Sequence, residues 1–133
     1  MTQSNPIRVL LVDDHMVVRS GLSTVLSVYD DLKLVGEAGD GEEAIRLCDH
    51  LQPDVILMDL LMPKMDGVAL YKAIRRIPDF ALIPIVFFTA SRIQESDIQE
   101  YLDLGAAGVI AKPFDPMTLS SQIQAIWERK QKS

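Results

Sequence analysis

A single doubly wound α/β domain, with five parallel strands and helices on both faces, is the fold class the sequence predicts. Three observations predict it. Apolar runs of strand length alternate five times with segments of helical period. The 133 residues suit one domain, which at this size buries a substantial core. The composition, 48% hydrophobic and 24% charged, is globular rather than disordered.

Each element has its own signal. Ile7–Val12 is apolar apart from Arg8 and stops at Asp13-Asp14. Val18, Leu22, Val25 and Leu26 then share one helical face. Leu32–Ala38 reads as the second strand, weakened by Lys33, Gly36 and Glu37. Asp40, with an acid three residues on at Glu43, is an N-cap for a helix to about Leu51, ended by Gln52-Pro53. Val55–Met58 is a third strand that delivers Asp59 at its carboxyl end. Pro63 and Asp66-Gly67 mark a loop, and Val68–Ile77 is helical, with Leu70, Ile74 and Ile77 on one face. Ile83–Phe88 forms a fourth strand ending at Thr89, followed by a polar helix from about Glu95 to Leu104. Gly108–Ala111 is a short fifth strand running into Lys112-Pro113. Asp115-Pro116 pairs an N-cap with proline at the first helical position, opening a last helix whose stripe is Leu119, Ile123, Ile126 and Trp127. Right-handed crossovers make this a flavodoxin-like (βα)5 sheet with strand order 2-1-3-4-5. The domain is expected over 7–127, with a tail at 1–6 and a tail or linker stub at 128–133.

Charge and cysteine content narrow the partners. Nineteen acids against 13 Lys and Arg leave a net charge of −6, which argues against nonspecific binding to DNA or to an anionic membrane. The lone Cys48 excludes a disulfide framework and a CxxC metal knuckle. No apolar run reaches the roughly 18 residues of a membrane span. Met1–Pro6 lacks the apolar core of a signal peptide, so a soluble cytoplasmic domain is expected.

In such sheets ligands bind beyond the carboxyl ends of the strands. There the sequence sets Asp13, Asp14, Asp59, Thr89 and Lys112. Two carboxylates about 4 Å apart repel by roughly 4 kcal/mol at an effective dielectric near 20, so the cluster needs a cation, a shared proton or an ammonium. Oxygen ligands with room for water and phosphate favour Mg²⁺. Lys112 supplies a point charge and Thr89 a hydroxyl, the elements an incoming phosphoryl group needs. A carboxylate can be the nucleophile and become an aspartyl-phosphate, and Asp59 on the central strand is the best placed.

These residues resemble the receiver domain of two-component response regulators: Asp13-Asp14, Asp59 within DLLMPKMDG (59–67), Thr89-Ala90 and Lys112-Pro113-Phe114, in order and spacing from about Ile7 to Trp127. The resemblance implies that Asp59 is the phosphoacceptor. It implies Mg²⁺, or Mn²⁺ in its place, on Asp13, Asp14, Asp59 and the backbone carbonyl of Leu61. Thr89 would bond a phosphoryl oxygen and Lys112 would pair with the phosphoryl group, with a cis peptide at Lys112-Pro113. Partners would be a histidine kinase or phosphotransfer protein and a downstream protein or effector domain. Output, and homodimerisation, would use the surface formed by the fourth helix (about Glu95 to Leu104), the fifth strand (Gly108–Ala111) and the last helix, the α4-β5-α5 surface, with no direct nucleic-acid or membrane contact by this domain. The chain would catalyse only its own phosphorylation and dephosphorylation.

Some positions depart from the pattern. Val109 stands where the family often has Tyr or Phe coupled to the threonine. Leu61 and Ser91 occupy positions that tune dephosphorylation, and an apolar Leu61 should crowd the attacking water. The stretches VDDHMVVRSGL and VGEAGDGEEAI resemble receivers joined to helix-turn-helix factors, whereas GAAGVIAKPFDPMTL resembles stand-alone or kinase-fused ones. Two other functions compete. One is a receiver-like scaffold that is never phosphorylated. The other is an aspartate-nucleophile phosphohydrolase, which would need a second Asp where Leu61 stands. His15 reads as an exposed residue beside a helix start, and Asp66 as a helix cap rather than a ligand.

Overall fold

The computed structural model describes residues 6–28, 30–62, 65–89, 95–111 and 119–132. Five strands form one sheet: β1 Ile7–Val12, β2 Leu32–Ala38, β3 Val55–Asp59, β4 Ile85–Thr89 and β5 Gly108–Ala111. Every pairing between them is parallel, in the order β2-β1-β3-β4-β5. The helices are α1 Met16–Ser27, α2 Gly41–Leu51, α3 Gly67–Arg75, α4 Glu95–Leu104 and α5 Leu119–Lys132.

Alternation along the strands divides the core into two layers. On one face Leu10, Val12, Ile56, Met58, Ile85 and Phe87 pack against Ala44 and Cys48 of α2, Leu70, Tyr71 and Ile74 of α3, and Tyr101 of α4. On the other face Val9, Leu11, Leu57 and Phe88 meet Leu22 and Leu26 of α1 and Leu119, Ile123 and Ile126 of α5. β3 is buried throughout, which explains why its sequence reads as an unbroken apolar run. Each such side chain contributes roughly 1.5–3 kcal/mol relative to exposure.

Local chemistry sets the boundaries. Asp40 caps α2 by accepting from the Glu43 N–H at 2.8 Å, and Glu43 Oε1 accepts in return from the Gly39 N–H at 2.8 Å. This closes the predicted acidic cap. α3 stops at Arg75, before the expected Ile77, because Ile77 precedes Pro78 and takes an extended conformation. β4 begins at Ile85 rather than Ile83, since Pro84 has no N–H to donate and uses its carbonyl to accept from Ile56 at 2.9 Å. The loop after β3 holds a small antiparallel hairpin, Leu61–Met62 with Met65–Asp66. Strands of two residues carry no readable period, so the sequence showed only a loop. The Val18 side chain, Asp115-Pro116 and the Lys112-Pro113 peptide lie outside the described residues.

Candidate functional site

The site forms where β1 and β3 end side by side. Val12 is in register with Met58, so Asp13, one residue past β1, lies beside Asp59, the last residue of β3. Asp13 is held by its own N–H, which donates to the Ala38 carbonyl at 3.0 Å. The Asp13, Asp14 and Asp59 side chains are 0%, 3% and 1% exposed. Three carboxylates so nearly withdrawn from water require positive charge or protons.

His15, when protonated, supplies part of that charge. Its Nδ1 lies 3.0 Å from Asp13 Oδ1, 3.4 Å from Asp14 Oδ1 and 3.4 Å from Asp59 Oδ2. The hydrogen bond to Asp13, with the charges of Asp13, Asp14 and Asp59, outweighs desolvation and holds the imidazole above its ordinary 6.5. The His15 backbone N–H also donates to Asp13 Oδ1, at 2.8 Å. Asp13 Oδ2 is buried with no hydrogen-bond partner among the described residues. A buried carboxylate oxygen in that state, with carboxylate oxygens of Asp13 and Asp14 within 4.8 Å of one another, fits a hard divalent cation, which would take the place of the His15 charge.

Thr89 is buried at the end of β4, one residue beyond Phe88, the register partner of Asp59. Leu61 opens the hairpin two residues after Asp59. Asp13, Asp14, Asp59 and Thr89 thus end on one edge of the sheet, while Lys112 and Ser91 lie outside the described residues. Val109 is in register with Phe87, whose ring stands 5.6 Å from Tyr71 and 5.7 Å from Tyr101. The aromatic side chains near β5 therefore come from β4, α3 and α4.

Three supporting residues escaped the sequence reading. His15 is no bystander, since its ring reaches all three acids; a histidine directly after two aspartates was the available signal. Arg19 donates through Nη1 to the Asp13 carbonyl at 3.3 Å and pairs through Nε with Glu37 at 3.6 Å, tying the ends of β1 and β2 together. Gly67 lets α3 approach β3: a Cβ there would lie 2.6 Å from the Asp59 carbonyl oxygen. Nothing local in the sequence announces either contact.

A doubly wound five-stranded parallel sheet with three acids gathered at its carboxyl edge is the class of domain the structure defines. The response regulator receiver domain family matches residues 9–124, and the chain belongs to that family, the signal-transducing domains of two-component systems. Its relatives include the transcriptional regulatory protein YdfI of Bacillus subtilis, 40% identical over 118 residues that cover 89% of this chain and 54% of YdfI. The chain therefore spans about half the length of that relative. Among solved structures it resembles the receiver domain of the response regulator NarL from Mycobacterium tuberculosis (TM-score 0.79, 28% identity, 94% of this chain and 98% of that one). It also resembles the isolated receiver domain of RcsB from Salmonella enterica with the phosphomimetic BeF3⁻ (TM-score 0.76, 28% identity, 93% and 90%). Among the described residues no helix is long and apolar enough to cross a membrane.

Proposed function

We propose that this chain is a phosphorylation-activated switch in which Asp59 accepts a phosphoryl group from a histidine kinase or phosphotransfer protein. The observation that carries this reading is the buried meeting of Asp13, Asp14 and Asp59, with Asp13 Oδ2 lacking a partner among the described residues. A carboxylate oxygen of Asp59 attacks phosphorus as the donor's P–N bond breaks, leaving an acyl phosphate. Asp13, Asp14, Asp59 and the Leu61 carbonyl would hold Mg²⁺ or Mn²⁺, whose charge offsets that of the phosphoryl oxygens. Thr89 donates its hydroxyl to a phosphoryl oxygen, and Lys112 pairs with another.

The output is a shift of population on the α4-β5-α5 face. A downstream protein, an effector domain or a second copy of the chain would read that face. Beryllofluoride with Mg²⁺ tests the switch. Amide NMR should show shifts at Thr89, Val109 and along α4 in the wild type, and none in Asp59→Asn. A wild type that does not respond overturns the reading. Failure to bind Mg²⁺ at all would favour the inert scaffold, and turnover of phosphomonoesters the hydrolase.

A further inference from the structure

At the opposite end of the sheet from the acidic triad, a groove of about 450 Å³ is lined by Pro6, Ile7, Arg8, Lys33, Asp54 and Trp127. Its size lies within the roughly 300–1,000 Å³ of small-molecule sites. Arg8 and Lys33 are register partners on the parallel strands β1 and β2, so both side chains leave the α2-facing side of the sheet, and the groove wraps round its amino edge at Pro6 and Ile7 to reach Trp127 on the α5 side. Like charges placed opposite each other are destabilising unless something negative lies between them. Among the described residues, neither cation is ion-paired with a carboxylate. Asp54 is committed to the backbone: its Oδ2 accepts from the Arg8 N–H at 2.9 Å, and its N–H donates to the Arg8 carbonyl at 2.9 Å.

The Arg8 guanidinium is oriented by a neutral group. Its Nη1 donates to the Gln52 carbonyl at 2.9 Å. Gln52 is the one non-glycine among the described residues with a positive φ, 48°. Such strain persists only where the surroundings enforce it. The result is an arginine held in place with no side-chain ion pair among the described residues, a second cation in register with it and Trp127 in the lining of the groove.

We infer that this groove binds a small anion carried on a flat ring, the anion between Arg8 and Lys33 and the ring against Trp127. The site is separate from the phosphoacceptor: six residues of β1 set them about 20 Å apart. The inference therefore stands whether or not Asp59 is phosphorylated.

The probe is 1-anilinonaphthalene-8-sulfonate, which carries both parts, with uncharged 1-anilinonaphthalene and inorganic phosphate as the separate halves. The full chain is titrated, and binding is followed by amide NMR and by emission of Trp127, the chain's single tryptophan. The expected result is saturable one-site binding that shifts the Ile7, Arg8 and Lys33 amides and the indole N–H. Lys33→Gln and Trp127→Leu should each weaken it about tenfold, the scale of one charge-assisted contact, and each half alone should bind more weakly than the whole. Shifts confined to Asp13, Asp59 or the α4-β5-α5 face would overturn the inference. So would no saturable binding, or an affinity unchanged by Lys33→Gln, an exposed substitution whose folding the same spectra check.

Discussion

Replacing Gly67 with alanine should destabilise the protein and loosen the candidate metal site at once. The added Cβ would meet three backbone atoms: Asp59 O at 2.6 Å, Leu60 Cα at 3.0 Å and Leu60 O at 3.2 Å. None is the end of a flexible side chain, so relief requires α3 to retreat from β3 or the Asp59-Leu60 backbone to move. Bringing the shortest contact to ordinary van der Waals range takes a shift of about 0.8 Å. Overpacking of this kind costs about 1–3 kcal/mol, and the helix-propensity gain of alanine returns at most about 1 kcal/mol. A net loss of about 1–2 kcal/mol is expected, read by urea unfolding as a lower midpoint with an unchanged slope. Because the displaced carbonyl belongs to Asp59, Mg²⁺ affinity should fall in the same variant. Gly21→Ala is the control. Nothing lies within 4 Å of a Cβ in the middle of α1, so the same substitution should stabilise by about 0.5–1 kcal/mol. Gly67→Ala as stable as wild type, or equal effects at the two glycines, would refute the close-approach argument.

Other consequences follow from single contacts. Ser120→Ala removes a 2.9 Å hydrogen bond to Asp31 Oδ1 and should cost about 1 kcal/mol in urea unfolding. Asp40→Ala leaves the Glu43 N–H of α2 without its cap and should cost about 1 kcal/mol by the same assay. Burial pushes the Cys48 thiol up to about 11 from 9.0. The unfolded chain therefore ionises first on raising the pH, so the stability from the neutral buried thiol is intact below 9 and is lost between 9 and about 11. Unfolding midpoints across that window, compared with Cys48→Ala, measure the loss; native Cys48 should also resist alkylation near pH 8 and react in urea.

Much of the architecture is legible because the signals are local. Strand-length apolar runs, the Asp40–Glu43 cap and the Gln52-Pro53 stop each act within a few residues, and the structure places β2, α2, α4 and β5 where they point. The boundaries that moved did so at prolines, which outweigh the apolar pattern: α3 stops short of Ile77, which precedes Pro78. Ile83 stays out of β4 because Pro84, which follows it, has no N–H to donate to the ladder. The candidate site was legible in outline, since an acid at the end of each of two adjacent strands must converge once the strand order is known. Its supports were not. His15 bridges its two neighbouring acids to Asp59, Arg19 folds back onto the Asp13 carbonyl and Gly67 abuts Asp59, and the contacts with Asp59 and of Arg19 depend on packing that no neighbouring residue encodes.

The central claim is that Asp59 takes up a phosphoryl group with the help of a divalent cation. Mass spectrometry of the intact chain after incubation with acetyl phosphate tests it most directly. The account predicts the addition of one phosphoryl group in the presence of Mg²⁺, its loss of formation when the ion is chelated, and no addition in Asp59→Asn. Equal labelling of Asp59→Asn and wild type, or a wild type that stays unmodified with Mg²⁺ present, would contradict it.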